Sequence, residues 1–428
     1  MKPIRVIIVG AGNRGSRYAE IMAVYPEKYQ VVAVADPAKA HRAYVQKLHN
    51  IPDEDCYETW QEILAQPKLA DVAVIATVDD QHYEPALIAI DKGYDLLLEK
   101  PVAQTAKECA DIANAAKKKG VNVLVCHVLR YTPFYGKLKQ LLMEGTIGQV
   151  ISIDQVEAVG HLHYSHSFVR GNWHVEEDCT PMLLAKCCHD LDIIQWLLDK
   201  KCTHVHSFGS LTHFKAENAP AGAPQRCVDG NCPAAETCPY NCVKHYYDWK
   251  ENRRRMIITT GISENFEPTD EEVMEALRRT NYGTCVYHSN NNMVDHQVVS
   301  MEFEDGATAT LTMNAFNKGG RYTRIYGTKG EIYAFMADQE IKIFTFDERK
   351  SWTVSVPKVD ESINGGHGGG DQGIVRELYD YMSGTYTGFR AADIHVSVAN
   401  HMIGFAAEQA RHEKTVVDVQ AFAKQFDE

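Results

Sequence analysis

The rhythm of residues 4–127 constrains this chain more than any other feature. Five short apolar runs, IRVIIVG (4–10), VVAVAD (31–36), VAVIAT (72–77), YDLLLEK (94–100) and VNVLVCH (121–127), alternate with segments of helical period. Runs rich in β-branched residues, without polar alternation, suit strands buried on both faces of a parallel sheet. The intervening NRGSRYAEIMAVY, EPALIAIDKG and AKECADIANAAKKKG carry apolar residues at helical spacing. Two of them end in glycine (Gly93, Gly120), which favours a helix C-terminus. This alternation predicts a doubly wound α/β domain over residues 1–127. A length of 428 residues leaves room for a second domain, assigned to residues 128–428.

The first run leads into Gly10-Ala-Gly12-Asn13-Arg14-Gly15. A lone GxGxxG is weak, but here a buried strand precedes it and a helix follows. Gly10 permits a tight turn, Gly12 lets the backbone approach a pyrophosphate, and Gly15 lets helix and strand pack closely. The phosphates would then sit at the positive end of the helix. Asp36 closes the second run, where a carboxylate can accept both ribose hydroxyls and would repel a 2′-phosphate. NAD is therefore expected over NADP, while Arg14 and Arg17 keep NADP open.

Charge narrows the partners. With 57 acidic against 44 basic side chains the net charge is −13, which opposes nucleic acid and anionic membrane surfaces. No apolar run is long enough to span a bilayer. The opening MKPIRVIIVG enters a strand at once, so no secretory leader is expected. Eight dispersed cysteines (Cys56, Cys109, Cys126, Cys179, Cys187, Cys188, Cys202, Cys285) read as reduced thiols of a cytoplasmic protein.

The fifth strand region is preceded by Glu99-Lys100-Pro101, at the end of the fourth run. A lysine at the C-terminal end of a parallel strand faces the crevice where ligands bind, and its ammonium can stabilise charge on a reacting carbinol oxygen. Together with the fingerprint, Thr77 and His82 in a T-x-x-x-x-H loop, and CHVLRYTPFY (126–135), this motif resembles the glucose–fructose oxidoreductase / inositol dehydrogenase / MocA family. The resemblance covers the whole chain, with a cysteine-rich stretch at 226–245 as an insertion. It implies an NAD(P)-binding Rossmann domain and a C-terminal α/β domain with an open, largely antiparallel sheet. It also implies hydride transfer to or from a ring carbinol of a sugar, cyclitol or related compound. One branch instead cleaves glycosides by transient oxidation. Asn13, Arg14, Thr77, His82, Glu99 and Lys100 would then contact the cofactor, and Arg130 and Tyr131 the substrate. A homo-oligomer, dimer or tetramer, is expected. A non-catalytic NAD-binding regulatory module is the third alternative.

From residue 149 the pattern changes to partial alternation: QVISIDQVEAVG, CTHVHSFGSLTHF, HQVVSMEFEDG, ATATLTMNAF and RYTRIYGTKGEIYAF. This suits an antiparallel or mixed sheet with one exposed face, turning at 304–306 and 328–330. Late helices are expected at 371–383 and 393–412. The glycine-rich 364–371 is read as a flexible loop or a lid, with Asp371 as an N-cap.

PMLLAKCCHDLDIIQWLL (181–198) predicts one helix, on which Lys186 and His189 share a face and Asp192 lies slightly off it. The resemblance presents His189 to the substrate; a satisfied core histidine is the alternative. The commoner family pattern has Asp four residues before the histidine, where this chain has Ala185. Lys186 matches a K-x-x-H subgroup and suggests two lysines, Lys100 and Lys186, around a polyhydroxylated or anionic ligand. In HLHYSHSFVRGNWH (161–174), Tyr164, Arg170, Asn172 and Trp173 are candidate sugar contacts. A plain loop and a histidine metal site remain open there. Cys227, Cys232, Cys238 and Cys242, spaced C-x4-C-x5-C-x3-C, are open between free thiols, a structural zinc and an iron–sulfur cluster.

Overall fold

The structure, a computed structural model, describes residues 2–248, 262, 263, 265, 268–358 and 367–426. Strands β1 (Ile4–Val9), β2 (Tyr29–Ala35), β3 (Cys56–Tyr57), β4 (Val72–Ile75), β5 (Asp95–Leu98) and β6 (Val123–Val125) form a parallel sheet in the order β3-β2-β1-β4-β5-β6. Helices α1 (Asn13–Val24), α2 (Lys39–His49), α3 (Trp60–Ala65), α4 (Tyr83–Asp91) and α5 (Ala106–Lys119) lie in the connections. The apolar runs become strands because both faces are covered. Ile7, Val9, Ala73 and Ile75 face one apolar layer, and Val6, Ile8, Val72 and Val74 face the other. Capping boxes at Thr59/Glu62 and Thr105/Glu108 start α3 and α5.

The second sheet follows α6 (Pro133–Met143). Its strands are β7 (Val150–Ala158), β8 (Cys202–Ser210), β9 (His296–Phe303), β10 (Thr308–Asn314), β11 (Gly320–Gly327), β12 (Gly330–Phe335), β13 (Glu340–Thr345), β14 (Lys350–Ser355) and β15 (Val417–Asp418). They are ordered β14-β13-β12-β11-β7-β10-β9-β8-β15, and only β7 and β10 pair in parallel. Between them lie α7 (His161–Tyr164), α8 (Met182–Ala185), α9 (Cys188–Leu198) and α10 (Asp270–Arg279), and α11 (Gly370–Met382) and α12 (Ile394–Glu413) come late. Along β9 burial alternates, and inward Val299, Met301 and Phe303 share a core with Ile193 and Leu197 of α9 and Ala406 and Ala410 of α12. The β9–β10 turn places Asp305 and Gly306 at φ of +64° and +75°, a left-handed pair.

Two expectations are corrected. The segment 181–198 is not one helix: it breaks at Lys186, whose φ and ψ are −121° and −51°. An unbroken helix would bond the Ala185 carbonyl to the His189 N–H; instead that carbonyl accepts from Lys100 Nζ at 2.9 Å. Of the glycine-rich loop, residues 364–366 lie outside the described residues. Gly369 precedes α11, so Asp371 sits inside its first turn rather than capping it.

Helix α11 belongs to the second half of the chain but packs on the first sheet. Ile374, Val375 and Leu378 share a core with Val6 and Val74, and Tyr29 donates to the Val375 carbonyl at 2.6 Å. At the head of α11, Arg14 grips Asp371 with two bonds of 2.8 and 2.9 Å and Glu99 with one of 2.7 Å. Burial alone would raise the Asp371 carboxyl, but Arg14 and His367 hold it well below the usual carboxylate range.

A carboxylate held low stabilises the fold above the unfolded pKa, and that gain fades as pH falls below it. Asp371→Asn is expected to cost about 2–3 kcal/mol at pH 7, near the lower end for breaking a buried pair because Arg14 keeps Glu99. By pH 3 the difference should shrink by about 1 kcal/mol, since unfolded aspartate titrates near ~3.9. Urea denaturation at the two pH values measures both.

Candidate active site

The glycine-rich turn is shaped as its sequence predicts. Gly10 has φ +88°, and a Cβ there would lie 2.5 Å from the Ala76 carbonyl oxygen. A Cβ on Gly15 would lie 1.8 Å from the Gly10 carbonyl oxygen, so α1 can sit this close only without a side chain. By contrast a Cβ on Gly12 would meet nothing within 4 Å, and no side chain caps the start of α1. An open face beside uncapped helix N–H groups fits a pyrophosphate. Asp36 ends beside this turn. Its Oδ2 accepts from the Ala11 N–H at 2.7 Å, and its Oδ1 faces the Ala38 N–H at 2.8 Å and His41 Nδ1 at 3.1 Å. A carboxylate offers about four acceptor positions, so room remains for a hydroxyl. Asn13 is exposed, whereas the Arg14 guanidinium is spent on Glu99 and Asp371.

Beyond β5, Glu99 is buried under Arg14 and accepts from Tyr18 Oη at 2.6 Å. Burial would raise its pKa, but Arg14 and Lys100 outweigh that and hold it low. His82 is buried, with Nδ1 2.7 Å from the Pro101 carbonyl and Nε2 3.1 Å from the Thr77 carbonyl. It therefore ties the Thr77 loop to the Glu-Lys-Pro turn rather than presenting a free ring nitrogen. Asp79 in the same loop was not foreseen. Its carboxylate accepts from Trp173 Nε1 at 2.8 Å, so a residue of the 161–174 segment reaches this end of the first sheet. Burial pushes the Asp79 carboxyl up, against the pull of Lys100 and His82.

Next to this edge lies a cavity of about 650 Å³ lined by Glu157, His163, Lys186, Arg321, Gln339 and His367, among others. Glu157 pairs with Arg321 at 2.6 Å and lies 3.8 Å from Lys186 Nζ. Arg321 also binds Asp190 at 3.0 Å. Burial pushes the Glu157 carboxyl up to about 7, Arg321 and Lys186 pull it back, and the nearby Asp190 adds to the rise. Burial lowers Lys186 in turn, with Glu157 opposing. The sequence carried a signal for Glu157. On β7, Ile153, Gln155 and Glu157 share the inward face, so two polar residues occupy core positions. Arg321 had none, since an arginine on a partly exposed strand reads as solvated.

His189 is buried just behind His367, with ring centroids 5.9 Å apart, and 6.1 Å from His127 on its other side. His127 in turn lies 5.8 Å from His401. Burial, with Lys100 close by, holds His189 well below its ordinary pKa, so the imidazole is neutral. His401 is driven down to about 3, chiefly by burial; it accepts from the Val102 N–H at 3.0 Å and donates through Nδ1 to the Ser397 carbonyl at 2.7 Å.

Several expected ligand contacts are used for building instead. Arg130 and Asp192 form a buried bidentate pair at 2.6 and 2.8 Å, and Asn400 adds a third bond to Asp192. Tyr131 packs in the core of the first sheet. Tyr164 is buried and donates to the Met293 carbonyl at 3.0 Å. Arg170 is buried against the carbonyls of Thr284 and Tyr240. Asn172 is exposed. Of the three residues expected to do the chemistry, Lys186 lines the cavity directly, His189 sits one ring behind it, and Lys100 reaches the carbonyl next to Lys186.

With this geometry in place, comparison with known proteins gives the class. Residues 4–127 match the NAD-binding Rossmann domain of the Gfo/Idh/MocA oxidoreductases, and residues 139–418 match their C-terminal alpha/beta domain. The chain belongs to this oxidoreductase family, as its Glu-Lys-Pro and fingerprint motifs implied, and is an enzyme. The YteT protein of Bacillus subtilis strain 168 is 24% identical over 402 residues, 86% of this chain and 88% of that one. The 2,7-anhydro-N-acetylneuraminate hydratase of Mediterraneibacter gnavus is 26% identical over 208 residues, 46% of this chain and 50% of its own length. A levoglucosan dehydrogenase solved with NADH shares the fold with a TM-score of 0.69 at 17% identity, covering 97% of this chain and 99% of that one. No described helix is long and apolar enough to cross a membrane.

Because Lys186 pulls the Glu157 carboxyl down, its removal should push that group higher. Lys186→Met is expected to move the Glu157 titration from about 7 to a higher pH. Carboxyl infrared difference spectra across pH, with Glu157→Gln to assign the band, measure it.

Proposed function

We propose that the enzyme moves a hydride between nicotinamide and a ring carbinol of a sugar or glycoside, with residues 1–127 holding NAD and residues 128–428 the substrate. The observation that carries this reading is the 2.9 Å bond from Lys100 Nζ to the Ala185 carbonyl. It sets an ammonium at the end of a Rossmann strand beside the helix of His189, next to a polar cavity of sugar size. Gly10, Gly12 and Gly15 would cradle the pyrophosphate, with Asp36 at the ribose and Thr77 toward the nicotinamide. When bound, NAD would supply the hydride acceptor. Lys100 holds the reacting oxygen and steadies negative charge on it. Neutral His189 takes the hydroxyl proton, and Lys186 and Arg321 bind the remaining hydroxyls or an acidic group.

A second reading is redox-neutral cleavage of a glycoside by transient oxidation, elimination, hydration and re-reduction. Glu157 favours it. A carboxyl poised near neutrality in the substrate cavity is a base that hydride transfer alone does not need. The likeness to a hydratase of an anhydrosugar points the same way. Twelve unbonded thiols fit a reducing, cytoplasmic setting. The solvent face of the second sheet, with exposed Phe208, Val298 and Tyr333, fits assembly into a homo-oligomer.

A panel of glycosides and ketosugars, followed for both NADH absorbance and aglycone release, separates the readings. Net NADH is expected for the first, and aglycone without net NADH for the second. Neither signal across the panel would place the substrate outside sugars and glycosides. Lys100→Ala and His189→Ala should each lower turnover about 10²–10⁴-fold, with NAD affinity kept. The double variant should lose less than the product of the single losses, because the two groups act on one oxygen. Wild-type turnover in His189→Ala would remove it from the proton route.

Cofactor choice is a separate matter. Asp36 should favour NAD over NADP, and Asp36→Ala should narrow that preference by about tenfold, roughly 1.4 kcal/mol. Titrating both dinucleotides by fluorescence measures it, and a wild-type preference for NADP would remove Asp36 from this role.

A further inference from the structure

The cysteine-rich insertion folds against a loop that the sequence places far away. Arg226 forms an isolated antiparallel bridge with Thr284, and the Cys285 N–H donates to the Gln225 carbonyl at 3.1 Å. The residues that follow this bridge on its two strands are Cys227 and Cys285. A tight turn over 232–238, closed by the Ala235 N–H on the Cys232 carbonyl at 3.0 Å and the Cys238 N–H on the Ala234 carbonyl at 2.8 Å, returns two more cysteines to the same place. Cys227, Cys232, Cys238 and Cys285 line one cavity of about 260 Å³. Cys242 does not line it: it is fully buried behind Cys227, in contact with that thiol and with the apolar cluster of Tyr246, Val273 and Leu277.

Arg170 lines the same cavity and is only 2% exposed. Its Nε bonds the carbonyl of Thr284, next to Cys285, and its Nη2 the carbonyl of Tyr240, two residues past Cys238, both at 2.8 Å. Its Nη1 has no partner among the described residues. A buried guanidinium with a free donor, beside four thiols, has no ion-paired counter-charge among the described residues, since Glu236 and Asp248, which also line the cavity, are exposed. Thiolates would provide one, and thiolates are what thiophilic metals bind. The Cys242 N–H also donates to Cys227 Sγ at 3.4 Å, a bond that supports a sulfur carrying negative charge.

We propose that Cys227, Cys232, Cys238 and Cys285 form a four-thiolate metal centre, with Arg170 as its counter-charge. The quartet differs from the one suggested by spacing alone, with Cys285 in place of Cys242. No three of these sulfurs lie within 4.8 Å of one another, among the described residues. Sulfurs around a tetrahedral zinc are about 3.8 Å apart, given Zn–S bonds of about 2.3 Å. Zinc therefore draws the four inward, whereas an iron–sulfur cluster leaves them more widely spaced. Both are held by the same thiolates. Neither contacts the substrate cavity, so the centre joins the insertion to the 284–287 loop and has a structural role.

The test uses the full chain, purified without chelator under aerobic and anaerobic conditions, with zinc, iron and acid-labile sulfide measured per chain. About one zinc, or iron with matching sulfide, is expected, and which of them is found identifies the occupant. Cys285→Ser should lose the metal and Cys242→Ser should retain it. If Cys285→Ser does not fold, Cys232→Ser, at a more accessible position, gives the same comparison. Cobalt(II) titration of apoprotein should add thiolate-to-metal absorption that Cys232→Ser lacks. Metal-free wild type under both conditions that also takes up no cobalt overturns the proposal. So does a Cys285→Ser variant that retains its metal while Cys242→Ser loses it.

Discussion

The grip of Arg14 on Glu99 and Asp371 is the contact on which the site depends. Three pieces of chain meet there: the first turn of α1 behind the glycine-rich loop, the end of β5, and the head of α11. Both carboxylates are buried and the guanidinium is about a quarter exposed, so neither acid is tolerable without the arginine. The pairing fixes where β5 ends, and therefore where Lys100 projects. It also holds His367, four residues before Asp371, on the wall of the polar cavity, with Nδ1 3.1 Å from the Asp371 carboxylate. An arginine in a nucleotide-binding turn would ordinarily be assigned to phosphate; here its work is to align two halves of the molecule.

The first sheet was legible because its strands are buried on both sides and must be apolar throughout, so little but the two-residue β3 escaped notice. Strands β13 and β14 were harder to read, since one face of each is exposed and their inward residues are few. The motifs marked the glycine-rich turn, Lys100 and Lys186, and the fold brings the last two to one place through the bond from Lys100 to the Ala185 carbonyl. What the sequence could not reveal was pairing. Arg130 and Asp192, separated by 62 positions, satisfy each other, and so does each expected ligand residue whose partner is a distant carbonyl. A polar side chain in an apolar segment signals only that it has some partner, and a protein partner serves as well as a ligand. The same reasoning hid Arg321, whose pairing with Glu157 exists only once β7 and β11 are adjacent.

The electrostatics of the pocket are of mixed sign by construction. Lys100, Lys186 and Arg321 face Glu157, Asp190 and Asp79 at low dielectric, where such charges perturb one another strongly. Of the histidines between them, His163 is held well below its ordinary pKa by Lys186 and burial, and His189 by burial and Lys100.

The break at Lys186 divides the helical segment into two mechanical parts with different anchors. Helix α9 is bolted to the interior by Asp192, through Arg130 and Asn400. Helix α8 is tethered at its last carbonyl to the tip of a Rossmann strand. Lys186 therefore stands beside a carbonyl held by that strand, while His189 stands on the helix held by Arg130 and Asn400. Lys186 on the cavity wall and His189 one ring behind it are thus positioned by different parts of the fold, with the joint between them at Lys186 itself.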